Sequence, residues 1–222
     1  MIRQLADLDW TQGPVPISTR FDDPYYSLDN GLAETTHVFL TGNDLPTRFT
    51  PGFTIAELGF GTGLSLLATW AAWEHSGQTT PLTFTSFEAW PLHASDMARA
   101  LQAFPELADW ADRLLDRWQE GGTIKFDTLH LNVVTGDARQ TLPQWPGRAD
   151  AWFLDGFSPA KNPELWGDDL MGQVARHTNK GGTLATYTAA GFVRRGLTGA
   201  GFDVTRTKGY GRKRHMTKAM LP

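Results

Sequence analysis

The glycine turn Gly59-Phe60-Gly61-Thr62-Gly63 constrains this chain more than any other stretch. It follows Phe53-Thr54-Ile55-Ala56-Glu57-Leu58, apolar and partly β-branched as a short buried strand is. It precedes residues 64–73, which are long and apolar enough for a packed helix. Glycine lets a backbone turn sharply and come close to a ligand. Strand, glycine turn and helix in that order form the first βα unit of a doubly wound α/β fold, whose ligands bind at the carboxyl ends of the strands.

The spacing narrows the ligand. A dinucleotide fingerprint, G-x-G-x-x-G, would need its third glycine at position 64, which is Leu64; the third glycine here is Gly63. Glu57 also stands two residues before the first glycine. A pyrophosphate prefers a helix N-terminus without a nearby anion, whereas a sulfonium or an ammonium tolerates or favours one. The pattern resembles the first motif of S-adenosylmethionine-dependent methyltransferases more than a nicotinamide site. A tight turn without a ligand is the plain alternative.

Composition sets outer limits. At 222 residues, 41% hydrophobic and 12% aromatic, the chain suits one large domain, or one domain with a small appendage, around a sizeable core. Cysteine is absent, which removes disulfides and thiolate metal sites and fits a cytoplasmic location. The six histidines form no close ligand pair, so no metal is expected. The N-terminus has no signal-peptide core and no apolar run is long enough to span a bilayer, so no membrane partner is expected. Net charge is −4, yet residues 193–222 carry Arg194, Arg195, Arg206, Lys208, Arg212, Lys213, Arg214 and Lys218 against Asp203 alone. Such asymmetry marks either a polyanion-binding face or an ordinary solvated surface.

Taken in order, residues 1–50 read as an N-terminal extension or lid, and 51–222 as the ligand-binding domain. Short extended segments are expected at 9–10 and 15–18, and Asn30 as the cap of a helix from Gly31 to near Gly42. A second core strand at 81–87 ends in Glu88, 88 − 63 = 25 residues past the last glycine. A carboxylate near that spacing accepts hydrogen bonds from ribose hydroxyls. Helices follow within 93–118, then a hairpin of 124–126 with 129–134. Asp137 comes after the third core strand, placed to accept from an adenine amino group, to cap the next helix, or both. A fourth strand, 150–155, carries Asp155 to the carboxyl edge, and a stiff loop rich in proline and aromatics follows it to Trp166. A helix over 163–177, a strand at 183–188, a short helix at 191–197 and strands at 203–207 and 215–220 complete the pattern. The fold class is α/β, Rossmann-like: a mostly parallel seven-stranded sheet with an antiparallel last strand.

Three stretches together resemble one family. They are Glu57–Gly63, the loop Asp155-Gly156-Phe157-Ser158-Pro159-Ala160-Lys161-Asn162-Pro163-Glu164-Leu165-Trp166, and Gly209-Tyr210-Gly211-Arg212-Lys213-Arg214. With Asp29–Leu40 they resemble the methyltransferase domain of the MnmC family over nearly the whole chain. The resemblance implies methyl transfer from S-adenosylmethionine, leaving S-adenosylhomocysteine, to the aminomethyl nitrogen of 5-aminomethyl-(2-thio)uridine at the tRNA wobble position. It implies cofactor contacts from Glu57, Gly59, Gly61, Gly63, Glu88, Asp137, Ala138 and Asp155, with Asp155 also catalytic. On the substrate side it implies Asn30, Gly31, Phe157, Lys161, Lys208, Arg212, Lys213 and Arg214. The expected partners are tRNA and an FAD-dependent oxidoreductase domain or protein that makes the aminomethyl substrate; FAD itself is not expected on this chain. Three other readings stand beside it. They are methylation of a small-molecule amine, a nicotinamide-dependent oxidoreductase, and a non-catalytic RNA-binding module. The glycine spacing counts against the second, and the intact set Glu57, Glu88, Asp137 and Asp155 against the third.

Overall fold

A computed structural model describes residues 4–11 and 13–222. Three two-residue strands, β1 (Leu8–Asp9), β2 (Ile17–Ser18) and β3 (Asp23–Pro24), form a small antiparallel sheet in sequence order. Helix α1 (Gly31–Thr35) begins at Asn30, whose Oδ1 accepts from the Ala33 amide at 2.9 Å. The expected continuous helix then changes pitch. A π-helical turn covers Thr36–Leu40 and a 3-10 turn Thr41–Asn43.

The main sheet contains β4 (Thr54–Leu58), β5 (Leu82–Glu88), β6 (Gly122–Lys125), β7 (Leu129–Thr135), β8 (Ala149–Leu154), β9 (Thr178–Thr186), β10 (Asp203–Lys208) and β11 (His215–Met220). Between them run α2 (Leu64–His75), α3 (Ala94–Leu101), α4 (Ala108–Leu115), α5 (Ala138–Thr141), α6 (Asp168–Arg176) and α7 (Gly191–Gly199). Strand order is β10-β11-β9-β8-β4-β5-β7-β6. Strands β7, β5, β4, β8 and β9 pair in parallel; β11 is antiparallel to β9 and β10, and β6 is antiparallel to β7.

The sheet thus has eight strands, not seven. The extra one is β6, the outer arm of the expected hairpin, paired from Gly122↔Val133 to Lys125↔His130. Only Ile124 of its four residues is buried, so the edge carries almost no apolar periodicity in the sequence. Two further boundaries moved. Lys180-Gly181-Gly182, which falls between the helix expected to 177 and the strand expected from 183, lies inside β9, where the register to β8 shifts between Ala149 and Ala151. The helix expected over 163–177 is a 3-10 turn, Pro163–Trp166, then Gly167, then α6.

Alternate residues of the strands pack on opposite faces, as the pleat requires. Ile55, Phe84 and Phe153 join Leu66, Trp70 and Trp73 of α2 on one side; Ala56, Phe87 and Trp152 join Leu170, Val174 and Leu197 on the other. Trp70 and Trp73 are fully buried, and truncating either to Ala would cost about 3–5 kcal/mol. The chain leaves β4 towards β5 on one side and reaches β8 on the other, so a crevice opens where the strand order reverses. Among the described residues, no helix is long and apolar enough to cross a membrane.

Candidate active site

A cavity of about 370 Å³ occupies that crevice. Its floor is the glycine turn. Gly59 has φ +89°, and a Cβ there would collide with the Asp155 carbonyl oxygen. The loops after β4 and β8 touch only because that side chain is missing. Asp155 N donates to Leu58 O at 3.1 Å and Gly59 N to Phe87 O at 2.9 Å, which extends the sheet pairing to the cavity rim. Gly61 (φ +54°) donates its amide to Glu88 Oε2 at 3.0 Å, and Trp90 N donates to Glu88 Oε1 at 2.8 Å. Glu88 is therefore fixed against the turn while lining the cavity. Burial pushes its carboxyl above the usual range, and these backbone N–H groups draw it back. An ionised carboxylate has about four acceptor sites, so lone pairs remain for a ligand.

Asp137 and Ala138 line the same cavity. The Asp137 carboxylate caps α5 through the Arg139 amide at 2.9 Å and pairs with the Arg139 guanidinium at 2.6 Å. That guanidinium holds its carboxyl below the ordinary value. The capping reading of Asp137 is realised in the fold, and the position still faces the cavity.

Asp155 stands where β8 ends. Its Oδ2 accepts from the Ser65 hydroxyl, on the first turn of α2, at 3.1 Å. Burial pushes its carboxyl up to about 7; the Ser65 hydrogen bond and the Lys213 charge act against that rise, and Glu34 adds to it. Glu57 differs from the expectation of a direct ligand contact. It is fully buried and does not line the cavity. Its Oε2 accepts from the Ser86 hydroxyl at 2.7 Å, and its Oε1 has no hydrogen-bond partner among the described residues. Burial, then the charges of Asp155 and Glu88, hold its carboxyl well above the usual range.

The N-terminal segment forms one wall. Tyr25, Gly31 and Glu34 line the cavity, whereas Asn30, as the helix cap, does not. Asp23 Oδ2 accepts from the Ser158 amide at 2.7 Å, and Asp22 pairs with Lys161. Phe21 stacks on Phe157 with ring centres 4.8 Å apart. These contacts fasten the loop after β8, including Phe157 at the cavity, to the N-terminal sheet.

The basic C-terminal residues divide. Lys213, expected to meet phosphate, instead lines the cavity. Its Nζ lies 2.9 Å from Glu34 Oε1 and 4.4 Å from the centre of the Tyr187 ring. Lys161, Lys208, Arg212 and Arg214 lie outside it. Arg212 stands 3.9 Å from Asp29, and the Lys208 carbonyl accepts from His37 Nε2 at 3.1 Å. Glu34, Ser65 and Tyr187 were missed from sequence as site residues. Glu34 was visible only as a first-turn acid after Asn30, and Ser65 only as the second residue after Gly63.

Residues 103–222 match the profile of the family described as S-adenosyl-L-methionine-dependent methyltransferase. The chain belongs to that family. It is 46% identical, over 95% of its length, to the tRNA 5-methylaminomethyl-2-thiouridine biosynthesis bifunctional protein MnmC of Aeromonas hydrophila subsp. hydrophila, and covers 34% of that protein. The chain thus spans about a third of the length of this curated relative. The crystal structure of MnmC2 from Aquifex aeolicus superposes with a TM-score of 0.78 at 27% identity, over 99% of this chain and 72% of that one. TrmN from Thermus thermophilus, at 18% identity and a TM-score of 0.51 over 82% of this chain and 47% of its own, shares the fold.

Proposed function

We propose that this chain methylates the aminomethyl nitrogen of 5-aminomethyl-(2-thio)uridine at the tRNA wobble position. The observation that carries the reading is Asp155, a carboxylate poised near neutrality in the cavity and in contact with the glycine turn. The similarity to MnmC directs the choice of amine.

The cavity's groups fit S-adenosylmethionine. Gly59 and Gly61 line the cavity and would let the cofactor approach the backbone, Glu88 would offer lone pairs to its ribose hydroxyls, and Asp137 with Ala138 would meet its adenine. Gly63 does not line the cavity, and a Cβ there would meet Phe60 and Leu114. When bound, the cofactor supplies an electrophilic methyl group on a sulfonium. Glu57 takes an indirect part, joining β4 to β5 behind the site through the Ser86 hydroxyl. Asp155 receives the substrate ammonium, orients the nitrogen lone pair and stabilises the positive charge that develops on nitrogen as the new bond forms. Phe157 and Gly31 border the substrate, and Lys161, Lys208, Arg212 and Arg214 meet tRNA phosphate outside the cavity. Residues 1–50 act as the lid of this site; residues 1–3 and 12 fall outside the described ones. The aminomethyl group itself comes from an FAD-dependent oxidative step in which the described residues take no part. A tRNA substrate fits a cytoplasmic location.

The test is incubation with S-adenosylmethionine and tRNA bearing 5-aminomethyl-2-thiouridine, beside unmodified tRNA, followed by nucleoside analysis. Methyl gain only on the aminomethyl tRNA supports the reading. No gain, or equal methylation of a free small amine, overturns it.

A further inference from the structure

We propose that Lys213, seated between Glu34 and Tyr187 in the same cavity as Asp155, is the positioned cation that favours the neutral, nucleophilic form of the substrate amine. The inference rests on the amine-methylating reading above and assigns a residue to a step that reading leaves unsolved.

The difficulty is electrostatic. An alkylammonium has no lone pair, so its N–H bond must break before the nitrogen can attack carbon. The electron pair stays on nitrogen, and the proton passes to Asp155 and on to solvent. Yet a carboxylate beside an ammonium favours the protonated amine. The resting pair, carboxylate and ammonium, is neutral. The reactive pair, carboxylate and free amine, carries one net negative charge. A fixed cation nearby favours the second state over the first by charge alone.

Lys213 is built to be that cation. Its Nζ is 2.9 Å from Glu34 Oε1, and the Glu34 side chain is only 12% exposed. The Tyr187 ring lies 4.4 Å beneath the ammonium, and the Tyr187 hydroxyl is itself committed to Gly156 O at 2.7 Å. The turn carrying Lys213 is closed by its own amide donating to Tyr210 O at 2.9 Å and by Gly209 N donating to Arg214 O at 3.3 Å. A Cβ on Gly209 would strike the Lys213 carbonyl oxygen, so the turn depends on that glycine. The Lys213 side chain is itself half-exposed, at 48%, but it lines the cavity, whereas its exposed neighbours Arg212 and Arg214 do not.

The groups facing the amine come from several elements. Asp155 follows β8, Glu34 lies on α1, Lys213 between β10 and β11, and the Tyr25 and Tyr187 phenols are both pushed up, first by burial. Asp23 adds negative charge near Tyr187, and Glu88 and Asp96 near Tyr25. The other cation lining the cavity, Arg139, is committed to Asp137 at 2.6 Å, so Lys213 is the cation whose charge reaches Asp155. That charge already lowers the proton affinity of Asp155.

Two measurements test this role. The first is kcat against pH on aminomethyl-bearing tRNA for wild type, Lys213→Met and Lys213→Arg. The rising limb should move to higher pH in Lys213→Met, with activity regained at high pH, and Lys213→Arg should restore the wild-type limb. A shift of about one unit would appear as roughly tenfold slower turnover below the limb. A uniform loss at every pH, as a purely structural role would give, overturns the proposal, and so does an unmoved limb. The second is ¹³C NMR titration of the Asp155 carboxyl in substrate-free protein. Its midpoint should rise in Lys213→Met; an unchanged midpoint overturns the role whatever the substrate. Wild-type protein inert on aminomethyl tRNA would instead overturn the substrate reading, and the NMR midpoint would still decide on Lys213.

Discussion

The Ser65 hydroxyl donates to Asp155 Oδ2 at 3.1 Å, joining the first turn of α2 to the loop after β8. A donor to a carboxylate favours its ionised form. Ser65→Ala should therefore raise the Asp155 carboxyl beyond about 7 and leave more of it protonated near neutrality. Methylation should fall at neutral pH and recover in alkaline buffer. Asp155→Asn should lose on the order of 10²-fold at every pH, as removal of a positioned proton acceptor does. pH–rate profiles of the two variants separate these outcomes, and a Ser65→Ala profile superimposable on wild type would rule out the hydrogen bond's influence.

Gly59 and Gly61 make different demands although both have positive φ. A Cβ on Gly59 meets backbone, the Asp155 carbonyl oxygen, which cannot yield without parting β4 from β8. A Cβ on Gly61 meets the Tyr25 ring at 3.2 Å, and a ring can swing. Each alanine incurs backbone strain of about 1–3 kcal/mol, but Gly59→Ala adds displacement of the cavity floor. Calorimetry should show S-adenosylhomocysteine binding lost in Gly59→Ala and only weakened in Gly61→Ala. Equal affinities would show that the contact with Asp155 does not shape the site.

The strand–turn–helix at β4 and the carboxylates ending β5 and β8 were legible because each depends on local pattern. Apolar runs stop at Glu88 and Asp155, and a stopped run is a strand end. The partnership of Lys213 with Glu34 was not legible. It depends on the β10–β11 turn folding back over α1, a contact between opposite ends of the chain that no periodicity encodes. Lys213 thus read as one of a basic run, although its two neighbours face elsewhere. Glu57 failed in the opposite direction. Its position in the glycine motif suggested ligand contact, but β4 is central and its side chains are enclosed on both faces. The arm pairing with β7 was legible at 124–126, but its start at Gly122 was masked by a glycine pair and its place in the sheet by the lack of a buried face.

Glu57 also sets a pH dependence of stability. Its carboxyl is raised on folding by burial first, then by Asp155. A raised carboxyl binds its proton more tightly in the native state, so its stabilising contribution is full below the unfolded pKa. That contribution is lost as pH rises through the folded one. Asp155 acts in the same sense, between its ordinary value of 3.8 and about 7. Glu57→Gln replaces the protonated acid with a neutral group of similar shape. Urea unfolding should find this variant gaining on wild type as pH rises from about 5 to about 8. A variant that instead loses ground over that range would show Glu57 to be ionised and paired.

Arg212 and Arg214 remain as the exposed basic groups beside the cavity mouth once Lys213 is assigned inside it. Arg212 is 92% exposed on its side chain and its contact with Asp29 is 3.9 Å, an ion pair loose enough to exchange for phosphate. Lys208 is exposed as well, and its backbone is pinned to His37. A chain with net charge −4 needs such a local cluster to hold a polyanion. If these side chains meet phosphate in the single-stranded anticodon loop, each contact contributes a slope of roughly −0.7 to log affinity against log salt. The double variant Arg212→Ala, Arg214→Ala should bind tRNA more weakly and flatten the slope by about 0.7 per phosphate released. Its affinity for S-adenosylhomocysteine should be unchanged, because neither residue lines the cavity. Filter binding across a salt series reads both quantities. An unchanged slope would move the tRNA contact to another face, the first to examine being the loop around Lys161, whose ammonium is engaged by Asp22 in the free protein.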